Sequence, residues 1–325
     1  MKLAAIDIGT NSTRLLIAGC EKKPGSTYKL TTLAREMEIT RIGKNLDKTG
    51  LISKHSAEET LEVLVSYLKK IKGEGVKSFR VVGTSALRKA KNTTWFLKLV
   101  NEKLGINIEV ITGSQEARLS FCGALRGADI NKLSKKLGIL SHQTDLKNIL
   151  VIDIGGGSTE FILGNHEDKI ILVQSIDLGC VNLTERFIKN SAGKPGNQEL
   201  IELNEFISTR LIDSVNKIKK LRFSTLVGLA GTISTLAAID LELIAYSKNK
   251  IHHHILSEQK IRQIYRLFCS VNLEERKKIA GLDPKRADII ISGTATLLQI
   301  MNMLDMEKLL VSEDDILDGI VYSLL

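Results

Sequence analysis

Asp7-Ile-Gly-Thr-Asn-Ser-Thr-Arg-Leu-Leu-Ile17 and Asp153-Ile-Gly-Gly-Gly-Ser-Thr-Glu-Phe-Ile-Leu163 are two versions of one phrase. Each follows an apolar run, Leu3-Ala-Ala-Ile6 or Ile149-Leu-Val-Ile152, and leads into another, so each reads as strand, tight turn, strand. Such a hairpin keeps a carboxylate at one strand's end beside a turn of backbone amides. Gly9, Gly155, Gly156 and Gly157 allow close backbone approach and positive φ, Asn11 tolerates a left-handed turn, and Ser12 and Ser158 add hydroxyls. Together these suit phosphate oxygens. Two such hairpins in a duplicated chain predict two phosphate loops facing each other across a cleft, with Asp7 and Asp153 near-symmetric about it.

The copies lie 146 residues apart (153 − 7), a usual domain length, and 325 residues are many for one hydrophobic core. Two domains are expected. With 43% hydrophobic and 26% charged residues and 3 prolines, the composition is that of a globular protein rather than a disordered or fibrous one. No run approaches the roughly 18 apolar residues of a membrane span, and the first strand begins at once, without a signal peptide's apolar region. A cytoplasmic protein with no membrane partner is expected. Cys20, Cys122, Cys180 and Cys269 lie far apart, so neither a zinc site nor a disulfide framework is indicated. The net charge of +9 sits largely on predicted helix faces, and an aromatic content of 4% argues against a nucleic-acid partner.

Along the chain, residues 3–40 read as three strands. A helix is predicted from Ser56, opened by a Ser56-Ala-Glu-Glu59 capping box, to Lys72. Phe79 to Val82 is a strand entering the turn Gly83-Thr-Ser-Ala-Leu-Arg88; a helix over Asn92 to Leu104 and a strand over Ile108 to Ile111 follow. Thr112-Gly-Ser-Gln-Glu-Ala-Arg118 then opens a helix, capped by Thr112 or Ser114. Gly127 to Asn148 is a lysine-rich connector. The second half repeats the plan: hairpin 149–164, strand 168–177, a helix over Gln198 to Lys219, and strand Thr225 to Gly228 feeding Leu229-Ala-Gly-Thr-Ile-Ser234, a turn in the place of Gly83-Thr-Ser-Ala86. Helix 285–304, strand Lys308 to Ser312 and helix 313–324 close the chain, the last returning to the first half. The predicted domains are 1–118 with 305–325, and 119–304, both α/β.

Asp153 and Glu160 stand where the hairpin brings two carboxylates together, the oxygen set that magnesium takes, its other positions left to water and phosphate. A structural reading, in which Asp153 only fixes the turn, leaves the glycines' entropic cost unexplained. His252-His-His254 is no metal triad, because three successive side chains cannot share one face.

The phrase resembles the actin, sugar kinase and heat-shock chaperone superfamily, which implies two duplicated ribonuclease-H-like domains of actin-like ATPase type with an interdomain cleft. Gly83-Thr-Ser-Ala-Leu-Arg88, Thr112-Gly-Ser-Gln-Glu-Ala-Arg-Leu119, Arg286-Ala-Asp-Ile-Ile-Ile-Ser-Gly293 and the Tyr246 to His252 spacing resemble the exopolyphosphatase and guanosine pentaphosphate phosphatase family across almost the whole chain. That resemblance implies a hydrolase releasing the terminal phosphate of polyphosphate or of guanosine pentaphosphate, with Mg2+ as cofactor. Glu116 matches its catalytic base, and Asp153 and Glu160 its magnesium ligands. Asn11, Ser12, Arg88, Gly156, Gly157 and Ser158 fall where its loops hold phosphate; the turn residues Asp7, Gly9 and Gly155, and Gly231 and Thr232 through the internal repeat, complete the expected phosphate site, and Arg118 and His252 are further candidates. At a helix N-terminus the dipole favours ionised Glu116 and weakens it as a base, whereas neighbouring phosphates oppose that. Asp314-Asp-Ile-Leu-Asp-Gly319 departs from the family's Gly-Leu-Arg-Glu-Gly end, removing one basic contact. The helical extension of longer members is not seen here, so short polymers are expected ahead of processive cleavage. The rival readings are an actin-like ATPase and a non-catalytic polyphosphate or alarmone sensor; a homodimer is compatible with any of them.

Overall fold

The computed structural model describes residues 1–23, 28–126, 148–165, 169–190 and 192–325. The predicted connector lies outside them except for Asn148. Two compact units emerge: Met1–Gly127 with Asp315–Leu325, and Ala128–Asp314.

Unit 1 is built on β1 (Lys2–Ile8), β2 (Thr13–Lys22), β3 (Tyr28–Glu38), β4 (Ser78–Gly83) and β5 (Glu109–Val110), in the order β3-β2-β1-β4-β5. β1 pairs antiparallel with β2 and parallel with β4, so it is the central strand. Its alternation feeds two layers. Ala4, Ile6 and Ile8 join the core under α1 (Lys54–Gly73) and α3 (Thr93–Leu104), while Leu3 and Ala5 face the opposite side. Between these helices lies the short α2 (Ser85–Lys89), and α4 (Gly113–Arg126) follows β5.

In unit 2, β6 (Asn148–Ile154), β7 (Thr159–Asn165), β8 (Ile170–Ile176), β9 (Thr225–Leu229) and β11 (Lys308–Val311) repeat that order as β8-β7-β6-β9-β11, and β10 (Ile255–Ser257) adds an antiparallel edge. The duplication therefore extends beyond the quoted phrase to a whole five-strand topology. The helices that matter for the site are α5 (Cys180–Phe187), α6 (Asn197–Lys219), α7 (Ala230–Asp240), α8 (Glu258–Ser270) and α9 (Ile290–Met303).

α10 (Ile316–Tyr322) returns to unit 1, where Ile316, Leu317, Ile320 and Val321 cover Leu3, Ala5, Leu16 and Ala18. It crosses α4 at glycine contacts. A Cβ on Gly319 would stand 1.9 Å from the Leu119 carbonyl oxygen, and one on Gly123 would stand 1.8 Å from that of Asp315. The unit boundaries differ from the predicted 118 and 304 for two reasons. α4 runs unbroken past residue 118 and packs on α10, and β11 hydrogen-bonds to β9, which keeps residues 305–314 with unit 2. The cap of α1 also differs: Ser53, not Ser56, is the N-cap, its Oγ accepting the Ser56 N–H at 3.1 Å. Leu229-Ala-Gly-Thr-Ile-Ser234, predicted as a turn, instead starts α7.

Candidate active site

Each quoted phrase folds into a turn whose carbonyls are tied back into its own unit. In unit 1, Gly9 N–H donates to the Ser12 carbonyl (2.9 Å), Gly43 N–H to that of Thr10 (3.0 Å) and Arg41 N–H to that of Asn11 (2.9 Å). In unit 2, Gly155 N–H donates to the Ser158 carbonyl (3.0 Å), while Cys180 and Val181 N–H take those of Gly155 (3.0 Å) and Gly156 (2.9 Å). The Asn182 amide donates to the Gly157 carbonyl at 3.3 Å. In a trans peptide the N–H points opposite to the C=O of the same unit. The N–H groups of Asn11 and Ser12, and of Gly156, Gly157 and Ser158, are therefore directed away from the loops that hold the carbonyls. That is the arrangement of an anion-binding nest.

Gly43 and Gly179, which follow the third strand of each half, make this possible. A Cβ on Gly43 would stand 2.3 Å from Thr10 Cγ2, and one on Gly179 would stand 2.3 Å from the Gly156 carbonyl. Sequence reasoning missed both; the signal was Arg41-Ile-Gly43 and Asp177-Leu-Gly179 recurring after β3 and β8. The turn backbone also differs from expectation. Gly9, Gly155 and Asn11 are not left-handed, and it is Arg41 that takes φ 47°. Glycine serves in the first two positions by room, since a Cβ on either would sit 3.2 Å from a turn carbonyl oxygen.

The two hairpins differ in charge. Asp153 lies directly opposite Glu160 in the β6–β7 register, so both carboxylates stand on one sheet face, and both are buried. Ser175 Oγ donates to Glu160 Oε1 at 2.8 Å. At the matching positions of unit 1, Asp7 lies opposite Arg14, and Asp7 Oδ2 accepts Nε (3.0 Å) and Nη2 (2.5 Å) of that guanidinium. Only the second hairpin offers a cation two acids. Among the described residues no cluster of three His, Cys, Asp or Glu could hold a metal ion. A pair of carboxylates fits Mg2+, which characteristically keeps waters and phosphates as its other ligands.

Around the first turn, Asp7 Oδ1, Thr10 Oγ1, both amide atoms of Asn11 and Ser85 Oγ are buried with no hydrogen-bond partner among the described residues. Each orphaned group of this kind costs about 1–3 kcal/mol, so a concentration of them marks a place completed by something else. Beneath it Arg14 Nη1 donates to Asp315 (2.6 Å), and Arg35 pairs with Asp315 (2.7 Å) and Asp318 (2.9 Å). Burial pushes the Asp315 carboxyl up, but Arg14 and Arg35 outweigh it and hold the pKa at about 2. A carboxylate depressed below its ordinary 3.8 contributes fully above that value, and the contribution is lost as pH falls through about 2. Denaturant unfolding between pH 4 and pH 2 is thus expected to lose stability more steeply in the parent protein than in Asp315→Asn, which starts lower at neutral pH.

α4 begins at a cap made by Thr112, whose Oγ1 accepts the Gln115 N–H at 3.2 Å. One residue on, Glu116 Oε2 accepts Arg88 Nη1 at 2.5 Å, and the same Nη1 donates to the Ile111 carbonyl at 3.0 Å. The predicted base and the predicted phosphate arginine are thus partners. Arg118, two residues further, is exposed on another side of α4 and does not join them.

In unit 2, Gly231 and Thr232 lie in the first turn of α7, directly after its first residue Ala230, a non-glycine residue at φ 72°. The Arg286 guanidinium lies on Gly231, where a Cβ would stand 1.8 Å from Nη1, and Gly293 accommodates Thr232. The Arg286 to Gly293 spacing is therefore a packing device that holds this turn. His252 points elsewhere: its Nδ1 accepts the Glu313 N–H (3.1 Å) and its Nε2 lies 3.7 Å from Asp314, while Tyr246 O–H donates to Glu313. His254 pairs with Asp240 at 2.6 Å, an acid close in space that local sequence spacing does not show.

Residues 20–325 match the Ppx/GppA phosphatase family. The chain belongs to this family. It is 34% identical over 334 residues to exopolyphosphatase 2 of Mycobacterium tuberculosis, covering 99% of this chain and 98% of that protein. It is 35% identical over 326 residues to the bifunctional 3-dehydroquinate synthase/phosphatase of Fusobacterium nucleatum, covering 98% of this chain but 46% of the relative, so it spans about half of that protein's length. The crystal structure of the Aquifex aeolicus Ppx/GppA family member matches with TM-score 0.77 and 32% identity over 99% of this chain and 97% of that one. Its fold is the two-domain α/β, actin-like arrangement expected from the duplicated phrase. Within the Ppx/GppA frame, the altered stretch Asp314 to Gly319 now has a structural role: Asp315 and Asp318 are the acids that hold Arg14 and Arg35.

Proposed function

We propose that the protein is a magnesium-assisted phosphohydrolase that releases the terminal phosphate of inorganic polyphosphate or of guanosine pentaphosphate by attack of water. The observation that carries this reading is the doubled turn, which directs the amides of Asn11, Ser12, Gly156, Gly157 and Ser158 away from the carbonyls' partners. Rows of fixed amide dipoles suit a chain of phosphates, on which transfer is largely a matter of positioning and charge stabilisation. The name of the Mycobacterium relative supports polyphosphate.

Asp153 and Glu160 would hold Mg2+, which when bound there neutralises phosphate oxygens and polarises the bond to be cut. Glu116 takes the proton of the attacking water, and Arg88 keeps that carboxylate in place through Nη1. Gly231 and Thr232 extend the phosphate contacts of unit 2, with Arg286 behind them. Cys20, Cys122, Cys180 and Cys269 are free thiols, which suits a reducing compartment, and we place the enzyme in the cytoplasm. No helix among the described residues is long and apolar enough to cross a membrane.

Phosphate release measured side by side on polyphosphate, guanosine pentaphosphate and ATP tests the reading. Release from one or both of the first two is expected, stopping on chelation of divalent ions, with Asp153→Asn and Glu160→Gln each losing most of the turnover. Turnover of ATP alone, or parental magnesium dependence in both variants, would contradict it.

A further inference from the structure

The orphaned groups of the first turn do not all have the chemistry of an anion site. Thr10 and Ser85 hydroxyls and the Asn11 amide can donate to a phosphate oxygen, whereas an ionised Asp7 can only accept. Asp7 is 3% exposed and sits in the same turn, so its Oδ1 cannot turn to bulk water when the site fills. Its other oxygen is committed to Arg14.

Resting on the phosphohydrolase reading, we propose that Asp7 meets the substrate as the neutral acid: its Oδ1 takes a proton from solvent and donates it in a hydrogen bond to a phosphate oxygen. Binding at the first turn is then coupled to proton uptake. The charged groups facing Asp7 are Arg14 from β2, Asp315 from α10 and Arg88 from the α2 turn. Their charges are largely spent on one another: Arg14 is shared with Asp315, Asp315 with Arg35, Arg35 with Asp318, and Arg88 with Glu116. These named groups comprise three guanidiniums, on Arg14, Arg35 and Arg88, against four carboxylates, on Asp7, Glu116, Asp315 and Asp318. Adding a phosphate to that balance without a proton would put anion against anion in a buried place, which is costly. Burial already pushes the Asp7 carboxyl up, with Arg14 opposing.

The hairpin copies thereby acquire different chemistries. The Asp153 and Glu160 pair suits a cation, and the Asp7 turn, with Arg14 in place of the second acid, suits a phosphate that arrives with a proton.

Diimidotriphosphate, which resists hydrolysis, is the probe, titrated calorimetrically with Mg2+ present in two buffers of different ionisation enthalpy. The parent protein is expected to take up about one proton more than Asp7→Asn, whose amide already donates and so binds the probe without that uptake. Infrared difference spectra of the parent protein alone should show a protonated carboxyl band appearing on binding, which keeps the test independent of the variant's folding. Binding with equal proton counts and no such band overturns the proposal and leaves the phosphohydrolase reading standing. So does uptake of a further cation at Asp7 in place of the proton. Failure of the parent protein to bind the probe at all overturns both.

Discussion

Replacing Glu116 with Gln is expected to leave the protein folded and able to bind polyphosphate while slowing phosphate release by roughly 10²–10⁴-fold, the range of a lost general base. The substitution is nearly isosteric. Gln keeps a carbonyl oxygen for Arg88 Nη1, which now lies 2.5 Å from Glu116 Oε2, and the Thr112 cap of α4 is untouched. What it loses is the ability to accept a proton from water. Single-turnover release, measured with binding under the same conditions, separates the two effects: release should fall and the dissociation constant should hold. A near-parental rate would reduce Glu116 to the ion-pair partner of Arg88. Because the two side chains are coupled, Arg88→Ala combined with Glu116→Gln should cost less than the sum of the single changes.

Gly319→Ala is expected to be among the most damaging small substitutions in unit 1. The added methyl would lie 1.9 Å from the Leu119 carbonyl oxygen and 2.6 Å from its carbon, both backbone atoms that no rotamer change can move. α10 must then lift from α4, opening the layer in which Ile316, Leu317, Ile320 and Val321 cover β1 and β2. Overpacking at such a crossing costs about 3 kcal/mol or more, and loss of the Asp315 and Asp318 pairs to Arg14 and Arg35 would add to it. Thermal unfolding should show the loss, and Gly123→Ala, on the facing helix, should match it. A midpoint unchanged in both would mean that the crossing relaxes freely.

Much of this was legible because it is local. Apolar runs at strand spacing, the Gly and Ser turns and the repeat of the phrase are all decided within a dozen residues, and the hairpins of both units follow them. The assignment of Asp153 and Glu160 to one sheet face needed only hairpin register. What escaped depends on distant partners. Gly43 and Gly179 matter only because another loop lies under them. Ser85 enters the first turn through the pairing of β4 with β1, and the Arg88 to Glu116 bond joins two separately quoted motifs. Asp315 and Asp318 look like a degraded phosphate motif until their guanidinium partners, from the other end of the sequence, are seen. The start of α7 departs from its local sequence for a different reason: Gly231, Thr232 and Ile233 are poor helix formers, and the packing of Arg286 over Gly231 overrides that preference.

The return of α10 to unit 1 sets an order on how the chain matures during synthesis. Residues 1–127 emerge first, yet the helix that covers Leu3, Ala5, Leu16 and Ala18 is made only after all of unit 2. The nascent first unit must wait with one apolar sheet face bare, while unit 2, continuous in sequence, can close its own core. Arg14 can pair with Asp7 from the start, but its bond to Asp315 and the bonds of Arg35 to Asp315 and Asp318 must wait. The Asp7 turn therefore reaches its finished electrostatics only after Asp315 and Asp318 have been made, so a chain stalled before residue 315 would carry its phrase intact and its site unfinished.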